Sequence, residues 1–361
     1  MKCFKKITFI ISSLNFGGAE RVVSELANHF SHDSEVSIVL VSQSKVEYQL
    51  DDRVKLYCIE DYYDKTNNSI SVLERIKFIR KCVKEFNPDI VVSFLADINI
   101  YSCIALACSK FPLILSERND PNIDPRNYIK RRLRTVVYPL AAGYVFQTPK
   151  ASRYFSKYIQ KKSTIIPNPI KMNLPKPYEG ERLKEIVAVG RLEPQKNYQL
   201  LIKTFAKFNK IYPEYCLKIY GEGSERKNLE EMVEKEQLTK VIEFKGKVLD
   251  FHKDIIKSSM YILTSDYEGM PNALMEAMAL GLPCIATNVP SGGTNFLIDN
   301  EVNGIITPVG NSDLLLKNMI KLVENKNLSQ KLSYESRKIN SKFSLDNTCK
   351  LWSCYISEIL E

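Results

Sequence analysis

The sequence predicts an α/β protein of two domains, each built on a parallel sheet covered on both faces. Strand-length apolar runs alternate with helix-period segments along most of the chain, which is the pattern of βαβ units. The 361 residues make about two domains at ~150 residues each. The stretch 163–182 breaks the alternation with Pro167, Pro169, Pro175 and Pro177, whose fixed φ and missing backbone donors oppose regular structure and mark a linker.

In the first half, Ile7–Ser13 is an apolar run of strand length. The residues from Met1 to Leu14 mimic a signal peptide, but the apolar part is short, holds Ser12 and Ser13, and lacks a small-x-small cleavage site, so a buried first strand is the better reading. Ala19–Phe30 places Val22, Val23, Leu26, Ala27 and Phe30 at helical spacing. Val36–Val41, Asp89–Phe94, Leu113–Ser116 and Tyr144–Gln147 read as strands, and Val72–Phe86, Ile98–Cys108 and Arg126–Tyr138 as helices. The second half repeats the alternation. Its strands are Ile186–Val189, Leu217–Tyr220, Val241–Phe244, Met260–Thr264, Cys284–Thr287 and Gly304–Thr307; its helices are Tyr198–Ile211, Glu225–Glu236 and Asn272–Leu280.

Apolar residues at 44% and charged residues at 26% exclude disorder, collagen and a small disulfide scaffold. No run approaches the ~18–20 apolar residues of a membrane span. The nine cysteines form no C-x-x-C pair; Cys58, Cys103, Cys108, Cys216 and Cys284 lie in or beside apolar runs and read as small core residues of a reducing cytoplasm.

The net charge of +9 is uneven: residues 1–167 carry 25 basic and 17 acidic side chains. Residues 125–162 hold ten basic residues and no acid, which favours an anionic partner or a solvated basic helix face. Lys130, Arg131 and Arg134 stand beside Ile129, Leu133, Val136 and Val137, a basic amphipathic helix suited to the surface of an anionic membrane or to packing on its own sheet. A base-stacking platform or reading motif for nucleic acid is missing.

Open α/β sheets bind ligands at the carboxyl ends of their strands, so the segments after the strands are the candidates. After the first strand, Asn15-Phe16-Gly17-Gly18-Ala19-Glu20 lets backbone N–H groups approach an anion at a helix start, or serves only as a tight turn. Gly190-Arg191-Leu192-Glu193-Pro194-Gln195-Lys196-Asn197 sets a guanidinium fork and a point charge on one loop, which suits a diphosphate. Glu268-Gly269-Met270-Pro271-Asn272-Ala273-Leu274-Met275-Glu276 starts a helix at Pro271, whose first N–H groups face the loop. Met275, Ala277, Met278 and Leu280 make that helix buried, so Glu276 needs a partner.

These residues resemble the retaining glycosyltransferases of family 4, of the type that builds surface polysaccharides and lipid-linked oligosaccharides. The resemblance rests on Gly17-Gly18-Ala19-Glu20, Gly190-Arg191-Leu192 through Lys196-Asn197, Gly221-Glu222-Gly223, Glu268 through Glu276, Ala277 through Pro283, Gly304-Ile305-Ile306, and Phe343 through Trp352, in order along the chain. It implies the GT-B fold: two Rossmann-like domains facing each other across a cleft. Residues 1–167 would bind the acceptor, 168–340 the nucleotide-sugar, and 341–361 would form a helix returning to the first domain. By the same resemblance Arg191 and Lys196 hold the donor diphosphate, and Gly17 and Gly18 bring amides to the β-phosphate. Glu268, with the backbone of Gly269, Met270, Pro271 and Asn272 as one segment, holds the sugar hydroxyls and phosphates. Glu276 accepts from the ribose, and Lys247-Val248 borders the base. Where the family often has a histidine, this chain reads Ser116-Glu117-Arg118-Asn119-Asp120, so Glu117 or Arg118 becomes the candidate on the sugar or acceptor side.

The reading is a transfer, with retention, of a hexosyl or N-acetylhexosaminyl unit from a UDP-linked sugar to a saccharide or a polyprenyl-pyrophosphate-linked acceptor. It would take place on the inner face of the cytoplasmic membrane. No D-x-D occurs, so Arg191 and Lys196 supply the countercharge and neither a metal nor another cofactor is expected. Double displacement would need a carboxylate on the far face of the sugar, and a front-face route is preferred in its place. A same-fold nucleotide-sugar epimerase and a non-catalytic two-lobed binding protein are the alternatives.

Overall fold

The computed structural model describes residues 4–15, 17–42, 46–63, 70–248 and 250–361. Met1–Cys3 of the signal-like segment and Phe16 of the first glycine loop lie outside the described residues. The chain divides into two compact units, Met1–Pro169 with Leu345–Glu361, and Ile170–Ser344. The divisions fall at 169/170 and 344/345, where the sequence suggested 167/168 and 340/341.

The N-terminal unit carries seven strands: β1 Lys6–Ile11, β2 Glu35–Leu40, β3 Val54–Cys58, β4 Ile90–Phe94, β5 Leu113–Ser116, β6 Gly143–Phe146 and β7 Ser163–Ile165. They form one sheet in the order β3-β2-β1-β4-β5-β6-β7, parallel throughout. β3 is not apparent in the sequence because only part of it is buried and Lys55 interrupts its apolar pattern. β7 lies inside the segment assigned to the linker; it is a three-residue edge strand with no fully buried residue, and regular structure stops just after it. The helix Leu345–Leu360 belongs to this unit. Trp352 is fully buried in the β1–β4 core, 5.9 Å from Phe94, and the Tyr355 hydroxyl accepts from Tyr144 N and donates to Lys162 O.

The helix read as Arg126–Tyr138 runs from Tyr128 to Val137 because the Asn127 side chain caps it, accepting from Ile129 N and Lys130 N at 2.8 and 3.2 Å. Its orientation corrects the sequence reading. Arg134, only 1% exposed, donates to Asp124 O and Pro121 O at 2.7 Å each and lies over the Tyr154 and Phe155 rings. Lys130 pairs with Asp97 at 2.7 Å, and Arg131 donates to Ile123 O at 3.2 Å. The loop before the helix offers carbonyls that need donors, and Arg131 and Arg134 supply them. Ile129 at 74% and Val136 at 72% point outward with Leu133 and Leu140, whereas Val137 is buried.

The C-terminal unit carries β8 Leu183–Val189, β9 Cys216–Tyr220, β10 Ile242–Gly246, β11 Ser258–Leu263, β12 Cys284–Thr287 and β13 Ile305–Thr307. Its sheet runs β10-β9-β8-β11-β12-β13, again all parallel. Helices Ser312–Glu324 and Lys326–Ser336, not read from the sequence, add Leu315, Met319, Leu322 and Leu332 to the core on one face. Among the described cysteines, Cys58, Cys103 and Cys284 are buried, Cys216 is half-buried, and Cys108 is exposed, against the core role expected of it. Burial pushes the Cys103 thiol up to about 12, so it stays an inert packing group.

Candidate active site

In the C-terminal sheet the strand order reverses between β8 and β11. Connections leave to opposite sides there, and a crevice opens at the carboxyl ends of these two strands. The loops that follow them are Gly190–Asn197 and Thr264–Pro271. The fold therefore brings together two motifs that are far apart in sequence.

Their meeting point is an ion pair between Lys196 Nζ and Glu268 Oε1, both side chains largely buried. Around it, Ser265 Oγ donates to Glu268 Oε1 at 2.7 Å, and Gln195 Nε2 donates to Tyr267 O at 2.8 Å and Glu268 Oε2 at 3.4 Å. Thr264 Oγ1 donates to Lys196 O at 3.0 Å. Asn197 adopts φ 47°, caps the helix Tyr198–Asn209 through Leu200 N, and donates to Asp266 at 2.8 Å. A low-dielectric setting makes such a network stiff, because each group would be costly to leave unpaired.

The Gly221-Glu222-Gly223 motif has a steric reason. A Cβ at Gly221, whose φ is +141°, would lie 1.9 Å from Gly190 O, and one at Gly223 would lie 2.3 Å from Leu192 O. The loop carrying Arg191 is thus packed directly on bare backbone, with Gly190 N donating to Tyr220 O and Leu192 N to Glu222 O. Arg191 itself is exposed. The described residues give it no ion-pair partner, in contrast to Lys196.

The segment Gly269–Asn272 leads into the helix Asn272–Ala279. Pro271 stands just ahead of that helix in an extended conformation, one residue earlier than the helical position expected of it. Among the described residues no side chain caps this helix start. The segment is held from behind: Ser291 Oγ donates to Glu268 O, and a Cβ at Gly293 would come within 1.6 Å of Gly269 O. Met270, Leu274, Met275 and Met278 bury the helix against β11 and β12.

Glu276 is buried on this helix, and its partner is one that sequence reasoning misses. His252 Nε2 lies 2.9 Å from Glu276 Oε2. In the sequence His252 matters only as one of three histidines, none of them in the segment that directly follows β5. A lone histidine 24 positions from a glutamate carries no spacing signal. Of the pair said to border the base, Lys247 is exposed and Val248 packs at the edge of the same core.

In the N-terminal unit, Gly17 N donates to the Tyr48 hydroxyl at 3.2 Å, and that hydroxyl donates to Gly17 O at 2.9 Å, which fixes the loop before the helix Gly18–Phe30. Glu117 and Arg118 diverge. Glu117 is buried among Asn99 Nδ2, at 3.3 Å, and the Tyr138 hydroxyl; burial pushes its carboxyl up, opposed by Arg134. Arg118 is stacked on Phe94 and Trp352 and donates through Nη1 to Asn168 at 2.8 Å, while Nε and Nη2 have no partner among the described residues. Burial pulls Arg118 down to about 9.

Two doubly wound α/β units in one chain are the components of the GT-B fold, which glycosyltransferases adopt. Residues 16–174 match the family described as Glycosyltransferase Family 4, and residues 173–339 match Glycosyl transferases group 1. The chain belongs to the family-4-like glycosyltransferases, and it is an enzyme of that class. It is similar to the GalNAc-alpha-(1->4)-GalNAc-alpha-(1->3)-diNAcBac-PP-undecaprenol alpha-1,4-N-acetyl-D-galactosaminyltransferase of Campylobacter jejuni, 29% identical over 98% of this chain and 99% of that protein. The amylovoran biosynthesis glycosyltransferase AmsD of Erwinia amylovora is 23% identical over 97% and 99%. Among solved structures, Anabaena HepE in complex with UDP and glucose superposes with a TM-score of 0.84 at 18% identity, covering 98% of this chain and 99% of that one.

Proposed function

We propose that this glycosyltransferase moves a hexosyl or N-acetylhexosaminyl unit from a UDP-sugar, with retention of configuration, to a saccharide carried on a lipid diphosphate, in the assembly of a bacterial surface polysaccharide. The observation that carries the donor half is the junction of Lys196 with Glu268 at the switch point of the C-terminal sheet. Arg191 and Lys196 meet the diphosphate and neutralise the charge that develops on the leaving group. Glu268, with the backbone of Gly269 to Asn272, meets the donor sugar, and Glu276 meets the ribose. No metal is needed for this countercharge. UDP in HepE and the undecaprenol-linked substrate named for the Campylobacter relative support the choice of donor and acceptor.

On the acceptor side, Arg118 is favoured over Glu117, whose carboxylate is already engaged by Asn99 and Tyr138. The membrane reading keeps the helix Tyr128–Val137 and reverses its face. Tyr128, Ile129, Leu133, Val136 and Leu140 form an exposed apolar stripe, with Arg126, Arg132, Arg153 and Lys157 also exposed. Such a stripe enters the headgroup boundary of an anionic bilayer, and the cations hold it there. The protein then works as a peripheral protein at the inner face of the membrane. The test is release of nucleoside diphosphate across a panel of nucleotide-sugars, with and without a polyprenyl-diphosphate-linked saccharide. Acceptor-stimulated release from a UDP-sugar is expected; release from none of the panel overturns the reading.

A further inference from the structure

His252 is 1% exposed and opens the short helix His252–Ile255 that follows β10. Each of its ring nitrogens faces a carboxylate: Nε2 is 2.9 Å from Glu276 Oε2, and Nδ1 is 3.0 Å from Asp250 Oδ1. Lys171 Nζ stands 3.5 Å from Nδ1 and 3.9 Å from Asp250 Oδ1. The Phe251 ring stacks on the imidazole at 4.1 Å.

An ionised carboxylate only accepts hydrogen bonds, so Nε2 carries a proton towards Glu276. This holds whether Nδ1 donates to Asp250 or accepts from Lys171. The hydrogen bond to His252 also holds the Asp250 carboxyl below the usual range. The imidazole N–H holds one oxygen of Glu276 and sets the plane of the carboxylate, much as an outer partner orients a ligating histidine.

We propose that His252 is a positioning residue for the nucleotide: it holds the Glu276 carboxylate turned so that it accepts from the ribose hydroxyls of the donor. Asp250 and Lys171 hold the far side of the ring. The assignment rests on the reading of Glu276 as the ribose contact.

The experiment is calorimetric titration of the full chain with UDP and with 2′,3′-dideoxy-UDP, which lacks both ribose hydroxyls. A hydrogen bond to a charged group corresponds to roughly ten- to hundredfold in affinity. The parent chain is expected to prefer UDP by about that factor. His252→Phe fills the space without a donor and should bring the preference below about threefold, with dideoxy-UDP affinity unchanged. His252→Gln, which keeps an N–H within reach, should retain most of it. Asp250→Ala alters an exposed residue and gives a second readout, a preference reduced about two- to fivefold even if His252→Phe fails to fold. A preference that persists in His252→Phe, or in Asp250→Ala where the former does not fold, overturns the role of His252 alone. A parent chain that binds both nucleotides equally or neither, or a preference untouched by Glu276→Gln, overturns the ribose reading and His252 with it.

Discussion

Lys196 and Glu268, 72 positions apart, form an ion pair at the carboxyl ends of β8 and β11, and the carboxylate oxygen of that pair is shared with Ser265. The cation suited to the diphosphate is therefore pre-placed by the carboxylate suited to the sugar. Breaking one partner of a buried pair leaves the other uncompensated, so the two act as a unit.

That coupling gives a split prediction for Glu268→Gln. The amide keeps the side-chain shape and removes a negative charge near the diphosphate. UDP binding should be equal to the parent or a few-fold tighter, while sugar transfer falls by ~100-fold or more through loss of a contact used in the reaction. Titration with UDP and steady-state turnover, side by side, check both halves; parallel loss of binding and turnover would mean Glu268 only supports the loop.

Chelation bears on the countercharge. With Arg191 and Lys196 supplying it, transfer should continue in excess EDTA at close to its untreated rate. Complete loss on chelation, restored by magnesium or manganese, would show that a cation bridges the diphosphate and that the two side chains are secondary.

The outward stripe on the helix Tyr128–Val137 and the turn Tyr138–Leu140 that follows it separates membrane docking from folding. Ile129→Ser, Val136→Ser and Leu140→Ser together remove exposed apolar surface, and co-sedimentation with phosphatidylglycerol vesicles should weaken at least tenfold, since each CH₂ withdrawn from the bilayer costs ~0.8 kcal/mol. Arg134→Ser should instead lower the melting temperature, because its guanidinium bridges two carbonyls inside the unit. Vesicle binding equal to the parent in the triple variant would remove the membrane assignment.

Burial pushes the Asp124 carboxyl up to about 7, with Glu117 and Asp97 adding to the shift and Arg134 and Arg126 opposing it. An unfolded aspartate titrates near ~3.9. Between those two values the folded chain keeps a proton that the unfolded chain has lost, so stability falls as pH rises from about 4 to about 7. Asp124→Asn should flatten that slope and exceed the parent at pH 8 by about 1–2 kcal/mol. Each tenfold change in proton affinity is worth ~1.4 kcal/mol, and solvent screening of a partly exposed group reduces the total. Urea midpoints at pH 4.5 and pH 8 measure it; a variant that keeps the parent's slope would locate the proton elsewhere.

Most of the sheet was legible because parallel strands buried on both faces read as unbroken apolar runs, as in Ile90–Phe94 and Cys284–Thr287. β3 and β7 were not, since edge strands need bury only one side and tolerate Lys55 and Ser163. The two loops of the candidate site were legible as glycine, cation and carboxylate runs after strands, but which side chain meets which depends on strand order. The facing of Tyr128–Val137 was illegible for a different reason. Helical spacing shows two faces and does not say that backbone carbonyls, not an apolar core, lie under one of them. His252 had no local pattern at all; only the return of the chain from β10 to the helix of Glu276 makes it a partner.

The most direct measurement is acceptor-dependent release of UDP by Arg191→Ala and Lys196→Ala, each checked for native melting. Both variants are expected to fold, and each is expected to lose at least ~100-fold in turnover, the cost of removing one charge stabiliser from a closed site, about 2.7–4 kcal/mol. Near-parental turnover in both would contradict the assignment of the diphosphate to the loop after β8.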